Sequence, residues 1–140
     1  MNWPTKCAAP CLALLLACSG HAAALAQPTF APNCADPFAQ AEINMCASAD
    51  LEAADAEMTV VYDLLLGQMQ DQDRSYAENG PEFVGAAILL RESQEAWDRN
   101  RRDLCAIPGL TFRGGSMRPG VVASCMAMLA LSRAEELRWL

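Results

Sequence analysis

Histidine and lysine are nearly missing from this 140-residue chain: it has one of each, His21 and Lys6, and both precede residue 27. From Gln27 onward no Ser-His or Cys-His nucleophile pair can be assembled, no histidine can ligate zinc, and no lysine can form a Schiff base or complete a phosphate-binding P-loop. Acid, base and clamping chemistry is left to carboxylates, tyrosines and arginines. Strand-like alternation, internal repeats and low-complexity tracts are missing as well. Long apolar runs are also absent: the apolar stretch near the start, built on Leu12-Ala13-Leu14-Leu15-Leu16, is too short to span a bilayer as a helix.

That stretch has the form of an export signal. Lys6 supplies the positive segment, Cys7 to Ala17 the apolar one, and Ala22 to Ala26 offers small-residue cleavage sites. Residues 1–26 are therefore expected to be a signal peptide and residues 27–140 a single mature domain in the periplasm or secreted. A second processing route is written in Leu15-Leu16-Ala17-Cys18, which has the form of a lipobox. On that route Cys18 is acylated, and the protein is lipid-anchored in the cell envelope; membrane contact is expected only in that case.

Of seven cysteines, Cys7, Cys11 and Cys18 fall in the signal, leaving Cys34, Cys46, Cys105 and Cys125. An even number of thiols in a short exported domain reads as a disulfide framework. Their spacing fits neither a zinc ribbon nor a C-x-x-C redox pair, so no metal, cofactor or catalytic residue is assigned.

Charge divides the mature chain. From Asp36 to Glu82 eleven acids face the single Arg74, whereas from Phe83 to Leu140 six acids face eight arginines. An acidic first half argues against a nucleic-acid partner and favours a cationic protein partner. The acids Asp50, Glu52, Asp55 and Glu57 show no spacing that marks two of them as a catalytic acid and base.

The elements read as helical throughout. Asp36-Pro37 is a start signal, and Ala47, Leu51, Ala54, Met58, Val61, Leu65 and Met69 form one stripe of a helix ending near Met69. Asn79-Gly80-Pro81 breaks the chain. A second helix is expected over about 82–104, with Phe83, Ala87, Leu90, Gln94, Trp97 and Arg101 on one face. The run from Ala106 to Gly120 is rich in Pro-Gly and Gly-Gly loop signals. A third helix of about twenty residues should follow, with Val122, Cys125, Met126, Leu129, Arg133 and Leu137 at helical spacing. Ser116 or Pro119 would mark its start. The fold class is all-α: an antiparallel helical hairpin plus a third helix laid against one end, stapled by two disulfides.

In that register Cys46 and Cys105 are level, ~35 Å from the turn at ~1.5 Å per residue. Pairing of Cys46 with Cys105 and of Cys34 with Cys125 is expected. The alternative joins Cys34 to Cys105 and Cys46 to Cys125. Cys34 with Cys46 is the least favoured pair, because nine helical residues from Pro37 would carry the chain ~13 Å away.

Several motifs lie around these cysteines: Gln40-x-Glu42-Ile43-Asn44-x-Cys46-Ala47, Ala54-Asp55-Ala56-Glu57-Met58-x-x-Val61-Tyr62, Gln94-x-Ala96-Trp97-x-x-x-Arg101 with Cys105, and Gly115-Ser116-Met117 with Cys125-x-x-x-Leu129-x-x-x-Arg133. In order and spacing they resemble the LprI-like lysozyme-inhibitor family of exported bacterial proteins. The chain departs from that pattern at Arg102, where the family carries aspartate, and at Ala130, where it carries threonine. The resemblance implies a lysozyme inhibitor, not an enzyme, that binds and occludes a cationic lysozyme. The alternative is a non-catalytic envelope scaffold or adaptor for another partner.

Candidate partner-binding residues are Phe112 and Arg113, in a loop that could plug a cleft, and Asp50 and Glu57 on the acidic face. Gln94, Trp97 and Arg101 share one face of the second helix and read as structural. Trp97 is expected to pack on Ala53 and Ala54, Tyr62 to be a core residue, and Asp50 to be the first partner for Arg101.

Overall fold

A computed structural model describes residues 31–140; the expected signal peptide and the lipidation candidate Cys18 lie outside the described residues. Three helices dominate: α1 over Gln40–Tyr76, α2 over Ala86–Leu110 and α3 over Arg118–Arg138. Among the described residues there is no strand.

The first helix begins three residues later than the Asp36-Pro37 signal implies. Asn33 to Asp36 makes a turn, closed by the Asp36 N–H donating to the Asn33 carbonyl at 3.3 Å. Ala39 is extended, and the Glu42 carboxylate reaches back to accept the N–H groups of Phe38 and Ala39 at 3.0 and 3.1 Å. These backbone donors hold the Glu42 pKa below its ordinary value.

At the other end α1 continues to Tyr76, two turns beyond Met69, and short 3-10 turns at Ala77–Asn79 and Pro81–Phe83 lead to α2. Asp73 explains both boundaries. Its carboxylate accepts the N–H groups of Gly85, Ala86 and Ala87 at 2.9, 3.0 and 3.1 Å, so a side chain of α1 caps α2. Gly85 precedes α2 at φ +126°, a conformation that a side chain would disfavour.

The same donors, Ala87 first and then Gly85, lower the Asp73 pKa. A carboxyl whose folded pKa is depressed contributes stability above its unfolded pKa and loses it as pH falls through the folded value. Asp73→Asn is thus expected to lower Tm at about pH 6, with the gap from wild type narrowing toward about pH 2. A gap that stays constant over that range would show that the charge of Asp73 is not what caps α2.

The helices run up, down and up, with α3 parallel to α1. Asn44 meets Ser116 and Gly120 at one end, and Leu137 joins the core cluster of Leu65 toward the other. The third helix therefore lies along α1 instead of only across one end of the hairpin. Its expected stripe holds at the C-terminal end, where Arg133 and Leu137 are buried, but is displaced before it: Ala123, Ala127, Ala130 and Ala134 are buried, while Val122, Cys125, Met126 and Leu129 are half-buried. Small side chains allow the two helix axes to approach closely. Gly120 is the tightest point, since a Cβ there would come within 2.6 Å of Asn44 Oδ1.

The stripe expected on α1 holds, with Ala47, Ala54, Met58 and Leu65 buried and Leu51, Val61, Tyr62 and Met69 partly so against the core. On α2, Ala87, Leu90 and Arg101 are buried, whereas Phe83 is exposed. The Pro108-Gly109 signal does not end α2, which continues to Leu110. Bridging of Cys105 to Cys125 and close apposition of Gly109 to Val122 hold that last turn against α3.

The four cysteines form two disulfides, but not in the expected pairs: Cys34 joins Cys46 and Cys105 joins Cys125, with Cα–Cα distances of 5.5 and 5.6 Å. The later start of α1 frees residues 33–39 to double back along its first turns, bringing Cys34 onto Cys46. The longer α1 also shifts the hairpin register by more than a helical turn, so Cys46 and Cys105 are no longer level.

Candidate protein-binding surface

The polar face of α2 that carries Gln94, Trp97 and Arg101 packs into the bundle and serves the fold. Arg101 is 6% exposed and pairs with Asp55 Oδ1 at 2.5 Å and Asp98 Oδ1 at 3.2 Å. The expected partner Asp50 is replaced by Asp55, one helical turn further along α1, by the same register shift. Arg102, at the position where the family carries aspartate, also pairs with Asp98.

Gln94 joins all three helices. Its Nε2 lies 3.1 Å from Met58 Sδ on α1, and its Oε1 accepts from Arg133 Nε on α3 at 3.1 Å. Arg133, also buried, donates further to Ser93 Oγ at 3.0 Å and Glu136 Oε2 at 2.9 Å. Both arginines approach Trp97, with the Arg101 and Arg133 guanidinium carbons 4.8 and 5.8 Å from a ring centroid. Trp97 packs against the cluster containing Ala54, while the other expected neighbour, Ala53, is exposed.

A second tie closes the other end of the bundle. Asn44 Nδ2 donates to the Ser116 carbonyl at 2.7 Å, while its Oδ1 accepts from Gly120 N–H at 3.1 Å and Gln40 Nε2 at 3.0 Å. Asn44 and Arg133 stand within the motifs without a role that the sequence pattern assigns. The signal each carries is a polar side chain at helical spacing with apolar neighbours, Asn44 with Ala47 and Leu51, Arg133 with Leu129 and Leu137.

Outside this frame the bundle has a surface that can receive another molecule. Along the outer seam of α1 and α3 runs an apolar groove of about 470 Å³, bounded by Ile43, Met117, Gly120, Val121 and Met128, with Pro108 at one edge. Ser124 and Met128 carry it into a second hollow of about 410 Å³, where Asp50, Glu57 and Leu131 stand over Ala54 and Ala127. Ile43, Met117, Met128 and Leu131 are each at least 40% exposed.

Of the four partner-binding candidates, Asp50 and Glu57 stand together on this groove. Glu57 accepts a 2.6 Å hydrogen bond from Arg138, which raises the arginine pKa above its already high value. Phe112 and Arg113 lie elsewhere, in the connection between α2 and α3. Phe112 is half-buried, and Arg113 donates through Nε to the Leu110 carbonyl at 3.1 Å. Among the described residues no group of three His, Cys, Asp or Glu side chains is placed to hold a metal ion. Nor is any helix there long and apolar enough to cross a membrane.

Comparison with known proteins agrees with the motif resemblance. Residues 33–137 match the family model described as lysozyme inhibitor LprI. A protein of Rhizobium meliloti (strain 1021), described as uncharacterized, is 38% identical over 133 residues, covering 95% of this chain and 94% of its own length. No solved structure matches. The match spans all three helices and all four bridged cysteines, and the chain belongs to the LprI lysozyme-inhibitor family.

Proposed function

We propose that this protein is a lysozyme inhibitor of the bacterial envelope, acting by stoichiometric binding and occlusion of a cationic lysozyme in the periplasm or outside the cell. The observation that carries this reading is the family match across residues 33–137 on a domain whose α1 exposes a strongly acidic surface. Two disulfides fit an extracytoplasmic location, and a bundle cross-linked in this way offers a preorganised surface that loses little entropy on binding. The family is described by inhibition and not by catalysis, in keeping with a chain that lacks histidine and lysine beyond its first 26 residues.

Acidic residues on α1 would steer a basic enzyme toward the bundle, and the contact itself would block the path of the glycan substrate. Two contact regions are open to it: the α1–α3 groove with Asp50 and Glu57, and the loop with Phe112 and Arg113. Titration of the oxidised domain into activity assays of c-type, g-type and i-type lysozymes is expected to inhibit at least one at a molar ratio near unity. Inhibition should weaken as salt is raised from about 0.05 to 0.5 M, because exposed charges are screened. Full activity of every lysozyme type at micromolar domain would refute the reading.

A further inference from the structure

We infer that the outer groove between α1 and α3, and not the α2–α3 loop, is the surface that takes the cationic protein partner; this rests on the inhibitor reading above. Its shape and charge argue together. The floor is made of small residues, Gly120, Ala127 and Ala54, so an incoming apolar side chain can approach the helix backbones. Ile43, Met117, Met128 and Leu131 line it although each is at least 40% exposed, and flexible methionines adapt to an irregular partner surface. Contiguous apolar walls with a polar rim are the form of a protein-docking site.

Charge commits the groove to a basic occupant. Asp50 and Glu57 stand over it from α1, and Arg138 bonds both Glu57 and Glu135. Arg138 is the cation on this rim. The remaining arginines of α3 are directed elsewhere, Arg133 into the bundle against Gln94 and Ser93, and Arg118 toward Gly109 on α2. The balance is acidic around an apolar floor, which complements an apolar side chain flanked by lysine or arginine. The loop offers less, because Phe112 is half-buried and the Arg113 side chain bonds its own backbone.

Asp50→Arg and Met128→Glu both alter exposed positions outside the core. Circular dichroism and Tm close to wild type would establish that each variant is folded. Binding to the inhibited lysozyme, measured by calorimetry on the oxidised domain, is expected to weaken at least ~10-fold for either variant. Phe112→Ala combined with Arg113→Ala is expected to change it less than ~3-fold. Wild-type affinity in both groove variants, with loss in the loop variant, would overturn the groove assignment and leave the inhibitor reading intact. Absence of binding by the wild-type domain to all three lysozyme types would instead overturn that reading. A wild-type dimer in sedimentation that Met128→Glu dissociates, without effect on lysozyme binding, would give the groove to a second copy of this chain and overturn the inference.

Discussion

Replacing Trp97 by alanine is expected to destabilise the oxidised domain by roughly 3 kcal/mol, at the low end of the range for large aromatic deletions because the ring is only half-buried. The loss combines two effects. Removing the ring empties space beside the cluster of Ala54, Met58, Leu90 and Ala130, and the surrounding helices can relax only partly into it. It also strips Arg101 and Arg133 of the aromatic ring that both approach. Both guanidiniums are largely withdrawn from water, so neither can recover that interaction by hydration. Tm should fall on the order of 10 to 20 °C. Urea unfolding followed by circular dichroism measures the change, and a loss under about 1 kcal/mol would mean that Trp97 is not part of the bundle's support.

Removing the Cys105–Cys125 bridge by a double substitution to alanine is expected to cost about 3 kcal/mol by the loop-closure argument for a separation of 20 residues. That bridge joins α2 to α3, and both helices stay packed in the native state when it is cut. The freedom gained therefore goes to the unfolded chain alone. Removal of Cys34–Cys46 is expected to cost clearly less, and by more than its shorter separation of 12 residues accounts for. The segment it ties, residues 33–39, is almost entirely exposed, so the native state itself gains much of the released freedom. Equal losses from the two deletions, measured as denaturation midpoints at similar m-values, would show that the arm is held by more than its disulfide.

The pattern of residues revealed much of this frame. The stripe from Ala47 to Met69 marked the buried side of α1, because a 3.6-residue period needs no partner to be recognised. On α3 the same reasoning chose the larger side chains, Val122, Met126 and Leu129, over the alanines that are actually buried. Hydrophobic size favours the first set, but α3 lies close along α1, and close approach selects small residues. The expected partner of Arg101, Asp50, gives way to Asp55 for a related reason. The register of a hairpin depends on where its turn falls, and the cap that Asp73 supplies to α2 places the turn seven residues later than Met69. The groove was legible only in part. Asp50 and Glu57 stood out by charge, whereas Ile43, Met117 and Met128 gave no signal, since a single exposed apolar residue is ordinary until its neighbours in space are known.

Sequence by itself determined the all-helical class, the disulfide framework, the family and the absence of histidine and lysine chemistry beyond residue 26. These follow from composition, period and the spacing of motifs along one chain, all of which are local. Only the tertiary structure decided which cysteines pair, which acid meets Arg101, and which face of α3 is buried. Each of those depends on how separate segments are placed against one another: the arm folded back on α1, the register of α2 against α1, and the close approach of α3 to α1. A side chain far from the residues concerned, Asp73, sets one such position, and the close contact of Gly120 with Asn44 sets another.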